Sequence, residues 1–397
     1  MMDVCIVGGG AAGLCAAVLC ARGGIRVTLL EALPRVGKKL LATGNGRCNL
    51  TNLHVSPECY RGDRALLSAV LGRFSPDDAR AFFASLGLVT YADPEGRVYP
   101  RTEQAASVLD VLRLACGELG VRTLTGSPVE RVTRDGKGFL VICEAQTLRA
   151  DRVLIAAGGR AQSGFTGYEL AKRLGHTVTP LTPALCAVPV DPQSVRALKG
   201  IRLRADVTLL SGDQAVRRTS GEVQFTDRAL SGICVFDLAR DAVRLPDTTL
   251  RLDLLPDAAD TLQMLCDRAA KMPTRAVEDF LAGLLPKRAA TVLLRTAYPG
   301  ALTDPVSALS PAALRTLAGL LRDWRFHPKG SAAWELAQVT SGGVPACELT
   351  DTLQSRVCPG LYFAGEIVDV DGDCGGFNLH WAWASAFTVS QNTYAPI

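Results

Sequence analysis

The stretch from Asp3 to Glu31, DVCIVGGGAAGLCAAVLCARGGIRVTLLE, constrains the fold of this chain more than any other. Val4 to Val7 is a short apolar run and reads as a buried strand. Glycines follow at once. Ala11 to Arg22 then carries a helical pattern stopped by Gly23 and Gly24, and a second apolar run from Ile25 to Leu30 ends in Glu31. Strand, Gly8-x-Gly10-x-x-Gly13, helix, strand and acid arrive in the order of a β-α-β unit that holds a dinucleotide. Gly8 permits the tight turn, Gly10 lets backbone approach a pyrophosphate, and Gly13 lets helix and strand pack closely. Ala11 and Ala12 begin the helix, whose free N–H groups and partial positive charge face the phosphates. Glu31 is placed to accept from the ribose hydroxyls.

Three further features favour FAD over NAD. The glycine motif starts at residue 8, and Gly37, Lys38 and Lys39 follow the second strand, the lysines reading either as phosphate ligands or as solvent-facing residues. YFAGE, Tyr362 to Glu366, reads as a strand ending in Gly365 and an acid, Glu366, that bonds a ribityl hydroxyl. DCGGFN then opens a helix, so Gly375, Gly376, Phe377, Asn378 and Leu379 are expected at the flavin pyrimidine edge. Negative charge developing on the reduced ring would be stabilised there. Ala157, Gly158 and Gly159 supply a second approach near the nucleotide half, to which Val129 is also assigned. No second Gly-x-Gly-x-x-Gly marks a separate NAD(P)H domain.

The loop LLATGNGRCNLTN concentrates special backbone chemistry in Thr43, Gly44, Asn45, Gly46, Arg47, Cys48 and Asn49, a tight path beside a flat cofactor. Arg47 is a catalytic candidate, as a cation near the flavin or an anionic substrate group, and equally a brace for loop carbonyls. Asn45 and Asn49 suit left-handed backbone. Cys48 and Cys374 have no dithiol partner nearby in sequence and read as packing residues. His380, two residues after Asn378, is the second catalytic candidate, because imidazole titrates near neutrality. Asp369, Asp371 and Asp373 alternate as in a calcium loop but lack its later glutamate, so no metal is expected.

Downstream the texture changes twice. From about Pro183, ALCAVPV, IRLRADVTLL and EVQFT read as short strands, with Ser211-Gly212-Asp213 as a turn. From Pro256 to about Asp323 four amphipathic segments read as helices, including TRAVEDFLAGLL and the Ser310-capped SPAALRTLAGLLRDW. The net charge of +4, with acids and bases interspersed, is too mild to mark a nucleic-acid binder. Thirteen scattered cysteines without zinc spacing fit a reducing cytoplasm. Neither a basic leader nor a run of about 18 apolar residues is present, so no membrane span is expected.

VGKKLLATGNGRCNLTN, GRVYPRTEQAASV, LAKRLGHTV, TSGGV and GLYFAGEIVDVDGDCGGFNLHWAWASAF together span almost the whole chain. In these blocks it resembles a bacterial family of FAD-dependent oxidoreductases that includes aminoacetone oxidase and a flavoprotein of the bile-acid-inducible operon. The resemblance implies an α/β fold with a Rossmann-like FAD-binding domain of the glutathione-reductase type, built from residues 1–183 and 335–397. It also implies a mainly β insert on the substrate side (184–252 and 323–334) and a helical insert (253–322). It places the Thr43-to-Asn49 loop and Gly342-Gly343 near the isoalloxazine. Cys374, Phe377 and His380 stand where the family commonly has Thr, Tyr and Gln. The function expected is hydride transfer between flavin N5 and a small molecule, with transient NAD(P)H or O2 as partner. Amine oxidase and NAD(P)H-dependent reductase both remain open. The alternative is a flavoprotein that binds and modifies tRNA through the basic pairs Arg202/Arg204, Arg217/Arg218 and Lys287/Arg288.

Overall fold

A computed structural model describes residues 2–161 and 167–393. They form two compact units, one built from residues up to Thr182 and from Val339 onward, the other from Pro183–Gln338.

The first unit is organised by a five-stranded parallel sheet, in the order Leu361–Phe363, Arg152–Ile155, Asp3–Val7, Arg26–Leu30, Arg122–Leu124. The inner strands are continuous apolar runs: Val4 to Val7, Val153 to Ile155 and Leu361 to Phe363 are all buried. A parallel sheet covered on both faces demands this pattern. The helix Ala11–Arg22 packs against Ala105–Glu118 and Phe377–Thr393. An antiparallel meander, Val129–Asp135, Gly138–Cys143 and Gln146–Ala150, joins the same unit. Because Phe363 pairs in register with Ile155, the C-terminal segment completes a sheet begun at Asp3.

The helix Phe377–Thr393 is buried on most sides, with Trp381, Trp383, Ala384, Ala386 and Val389 in the core. A helix that is apolar all round belongs inside a protein. Its two tryptophans also hold loops in place: Trp383 Nε1 donates to the Leu50 carbonyl (2.9 Å) and Trp381 Nε1 to the Gly365 carbonyl (3.1 Å). Ser75 and Asp78 form a reciprocal capping box at the start of Pro76–Ser85.

The second unit holds a six-stranded antiparallel sheet, in the order Val188–Pro189, Ala229–Ser231, Gln214–Phe225, Arg202–Ser211, Thr248–Asp253, Trp324–Phe326. IRLRADVTLL is the strand Arg202–Ser211, but EVQFT is only the end of a 12-residue partner, Gln214–Phe225, and the two form one long hairpin. Its exposed face is polar, with Ser220 Oγ and Arg218 both donating to Asp206 across the strands, and that polarity hides the strand period. Helices form at Thr261–Lys271, Lys287–Ala297 and Pro311–Arg322, the last capped by Ser310. TRAVEDFLAGLL does not form the expected helix. The Val277 and Glu278 amides donate to the Asp304 and Leu302 carbonyls, leaving only the 3-10 turn Val277–Asp279. Among the described residues no helix is long and apolar enough to cross a membrane.

Candidate active site

The glycine turn between Asp3–Val7 and Ala11–Arg22 has the geometry its spacing predicts. A Cβ at Gly8 (φ +110°) would stand 2.5 Å from the Ala156 carbonyl oxygen, and one at Gly13 would stand 1.8 Å from the Gly8 oxygen. These two glycines are therefore fixed by close backbone packing. Gly10 differs: a Cβ there would meet nothing within 4 Å, so its face is open. No side chain caps the helix beginning at Ala11 and Ala12, and its first turn holds no acid. Its N-terminal donors are left for an anion. Beside the turn, Glu31 accepts from the Gly9 amide through Oε2 and the Leu33 amide through Oε1, both at 2.8 Å. Two backbone donors thus aim the carboxylate while each oxygen keeps a further lone pair.

The opposite wall comes from distant segments. Gly158 (φ +71°) is open, whereas a Cβ at Gly159 would stand 2.3 Å from Glu366 Oε1 and 2.5 Å from Thr340 Oγ1. Ala157 and Gly365 flank this approach, and a Cβ at Gly365 would lie 3.0 Å from the Ala12 methyl. Both oxygens of Glu366 are engaged: Lys39 Nζ lies 2.5 Å from Oε2 and the Thr340 amide donates to Oε1 at 2.8 Å. Lys39 thus reaches a carboxylate, while Lys38 is exposed at the start of Lys38–Ala42. Val129 opens the meander and pairs with Cys143.

The loop after Ala42 winds in the left-handed sense at Gly44 (φ 57°), Asn45 (φ 54°) and Gly46 (φ 83°), and again at Cys48 (φ 58°). Thr43 starts the turn by donating from Oγ1 to the Leu40 carbonyl (2.6 Å). The Cys48 thiol is buried, and that burial pushes its pKa up to about 12. Arg47 reaches the small sheet formed by Thr51–Asn52, Arg97–Pro100 and Thr90–Ala92. Its Nη2 lies 2.9 Å from Glu103 Oε1 and donates to the Tyr91 hydroxyl (3.1 Å), and the guanidinium stacks over Tyr99 at 4.5 Å. Its Nε is buried without a partner among the described residues.

Asn49 joins this loop to the C-terminal helix. Its Oδ1 is buried and unpartnered among the described residues, and a Cβ at Gly376 (φ +99°) would stand 2.6 Å from it. Asn52 Nδ2 donates to the Gly375 carbonyl (2.9 Å). Asn378 closes the turn ahead of the helix, its Oδ1 accepting from the Gly372 amide and its Nδ2 donating to the Gly372 carbonyl. The Tyr60 hydroxyl donates to the Phe377 carbonyl (2.9 Å), and Leu379 follows, half-buried.

His380 lies in the core. Its Nε2 faces the Phe74 carbonyl at 3.1 Å, which can only accept, so Nε2 carries the proton. Nδ1 then accepts from the Thr51 hydroxyl at 2.8 Å. Burial drives its pKa down to about 4.

These residues fit FAD. Gly10 gives an open backbone surface over uncapped helix donors, Glu31 an aimed carboxylate, and Asn49 Oδ1 an unused acceptor at the second helix start. Sequence reasoning missed Thr340, whose Oγ1 also accepts from the Ala161 amide (2.9 Å), and the Arg61–Asp373 contact (3.7 Å). The first is the opening residue of the TSGG block already noticed, where only the two glycines were assigned to the site. The second carried no signal, because its partners are far apart in sequence.

Residues 2–392 match the family model described as HI0933-like protein Rossmann domain. The chain is 38% identical to a 3-dehydro-bile acid delta(4,6)-reductase of Clostridium scindens, over 98% of both proteins. It is 31% identical to a ribosomal RNA dihydrouridine synthase of Escherichia coli, over 99% of this chain and 98% of that one. Among solved structures, 3-ketosteroid delta1-dehydrogenase from Sterolibacterium denitrificans shares the fold at 14% identity and a TM-score of 0.51, covering 98% of this chain and 99% of that one.

Proposed function

The chain belongs to the HI0933-like Rossmann family and is an FAD-dependent oxidoreductase, and from that premise we propose that it reduces a carbon–carbon double bond conjugated to a carbonyl in a small molecule. One observation carries this reading. The two near-full-length relatives differ in substrate, yet by their names both add hydrogen across a double bond of a conjugated carbonyl system.

When bound, FAD supplies two-electron transfer at flavin N5. The open backbone at Gly10 and the free donors of Ala11–Arg22 would hold its pyrophosphate, with Gly8 and Gly13 packing the turn behind it, and Glu31 would take its adenosine ribose. Asn49 Oδ1 and the backbone from Gly375 to Leu379 meet the pyrimidine edge, and the helix start there stabilises negative charge. Arg47, whose side chain is 44% exposed, presents the open edge of its guanidinium to the substrate carbonyl oxygen and polarises the conjugated system. His380, with both ring nitrogens engaged inside the protein, fixes the helix start against Thr51 and exchanges no proton with substrate. Reducing equivalents come from NAD(P)H visiting the site transiently. The sequence has one dinucleotide glycine turn, and the Pro183–Gln338 unit is an antiparallel sheet with helices, not a second doubly wound fold. Thirteen free thiols suit a cytoplasmic setting.

The test is anaerobic. NADPH or NADH should bleach the flavin absorbance, and an α,β-unsaturated ketone should restore it with loss of the enone band. Bleaching by amines alone would sink the reading.

A second reading, favoured by the 31% identical relative, makes uridine in RNA the acceptor. Two of the basic residues it would need are already paired: Arg202 with Glu222 and Arg218 with Asp206. Incubation with NADPH and ribosomal or transfer RNA, followed by nucleoside mass spectrometry for dihydrouridine, separates the two readings.

A further inference from the structure

Arg47 does not stand alone as a cation. Its Nη2 lies 2.9 Å from Glu103 Oε1, and the Tyr91 hydroxyl bridges the two, accepting from Arg47 (3.1 Å) and donating to Glu103. The two charged side chains are 44% and 50% exposed, so a molecule entering from solvent can reach both. Glu103 takes the left-handed backbone conformation (φ 52°), in which a glutamate is uncommon. That bend costs free energy, and the carboxylate it carries ends against Arg47.

The register of the small sheet turns this cluster toward the start of the C-terminal helix. Asn52 pairs with Arg97 and Tyr91 with Tyr99, and alternate residues of a strand share a face. Asn52, Arg97, Tyr99 and Tyr91 therefore lie on one face. From that face Asn52 Nδ2 donates to the Gly375 carbonyl (2.9 Å), and the Arg47 guanidinium stacks on the Tyr99 ring. A substrate carboxylate held by Arg47 would draw on its full positive charge. With Glu103 beside it the pair is close to neutral, and an incoming carboxylate meets like charge. A carbonyl oxygen carries no net charge, so it accepts from the guanidinium without that repulsion. Discrimination of this kind comes from the repulsive group as much as from the attractive one.

We propose that Glu103 is a specificity-determining residue, which restricts the acceptor met by Arg47 to uncharged carbonyl compounds and turns carboxylates away. The proposal rests on the reading that Arg47 meets the substrate carbonyl. Two probes that share a styryl skeleton test it: benzylideneacetone, a ketone, and cinnamate, a carboxylate. Binding of each to the FAD-loaded protein is followed through the visible spectrum of the flavin. The wild type should bind the ketone and discriminate against cinnamate. Glu103→Gln keeps the shape of the side chain and removes its charge. Cinnamate affinity should then rise about 3- to 10-fold, the scale of a partly screened charge contact, while ketone affinity changes by less than about twofold. Glu103→Ser should act in the same direction, and adding Arg47→Gln to Glu103→Gln should abolish the gain. Asp110→Asn is the control. It removes another exposed acid paired with an arginine in the same unit and should leave cinnamate affinity unchanged. Unchanged cinnamate affinity in both Glu103 variants, or an equal gain in Asp110→Asn, would overturn the proposal while leaving ketone reduction by the wild type in place. A wild type that neither binds nor reduces the ketone would overturn the substrate reading and the proposal together.

Discussion

Lys39 and Glu366, 327 positions apart in sequence, meet at 2.5 Å in a half-buried ion pair. The pair ties the helix Lys38–Ala42 to the turn after Leu361–Phe363, and through Glu366 Oε1 to Thr340. Removing one partner of a charge-assisted bond at such a site costs about 1–3 kcal/mol. Lys39→Met should lower unfolding stability by about that much, while Lys39→Arg keeps most of it. Urea titrations of the three proteins decide the matter. Equal midpoints would mean that the pair contributes nothing.

The glycines of the nucleotide turn should separate folding from binding. Gly13→Ala forces a methyl to 1.8 Å from the Gly8 oxygen and should cost about 2–3 kcal/mol or more. Gly10→Ala meets empty space, so the apoprotein should fold with a nearly normal melting temperature. The added methyl would occupy the pyrophosphate approach, so FAD affinity should fall about tenfold or more. Circular dichroism and flavin titration measure the two effects independently. A Gly10→Ala protein with normal FAD affinity would contradict the assignment of that face.

His380 should make stability depend on pH in a defined window. Its folded pKa is depressed to about 4, so between roughly pH 6.5 and 4 the unfolded chain takes up a proton that the folded chain refuses. Stability is therefore full above pH 6.5 and declines as pH falls, by about 3 kcal/mol from this residue. His380→Gln should flatten that part of the profile. A variant profile parallel to the wild-type one would show that His380 is not the group responsible.

Thiol labelling should rank the cysteines by exposure. Cys347 is exposed and should react first with a maleimide. Cys48 is buried with its pKa raised to about 12, so little thiolate forms at neutral pH. It should stay unlabelled until the protein unfolds. Peptide mapping after timed exposure reads this directly, and early labelling of Cys48 would contradict its place in the structure.

The nucleotide turn was legible because its requirements are local: a strand, three glycines and a helix between Asp3 and Arg22. The left-handed loop was legible in part: glycine and asparagine announce that backbone at Gly44, Asn45 and Gly46, but Asn49 does not adopt it and Cys48, which carries no such signal, does. Lys39 carried a misleading signal. A lysine after a nucleotide motif suggests phosphate, and only the fold reveals that Glu366 lies within its reach. The burial of His380 was equally hidden, because it depends on Phe74 and Thr51, hundreds of residues away. Of the hairpin, Arg202–Ser211 was legible at its full length, while Gln214–Phe225 was shortened to its end, because arginine and serine on its open face masked the alternation. Glu103 stood in a block noticed only for its resemblance, and its pairing with Arg47 is visible only once the neighbours are in place.

The parallel sheet has a consequence for how the protein is made. Its edge strand Leu361–Phe363 and the helix Phe377–Thr393 leave the ribosome after the whole of Pro183–Gln338 has been synthesised. At about 5–20 residues per second, the nucleotide turn waits many seconds for the segments that complete its site. Cofactor capture is thereby deferred to the last moments of translation. Until then the growing chain carries an unfinished apolar sheet edge, the kind of surface on which incomplete chains associate.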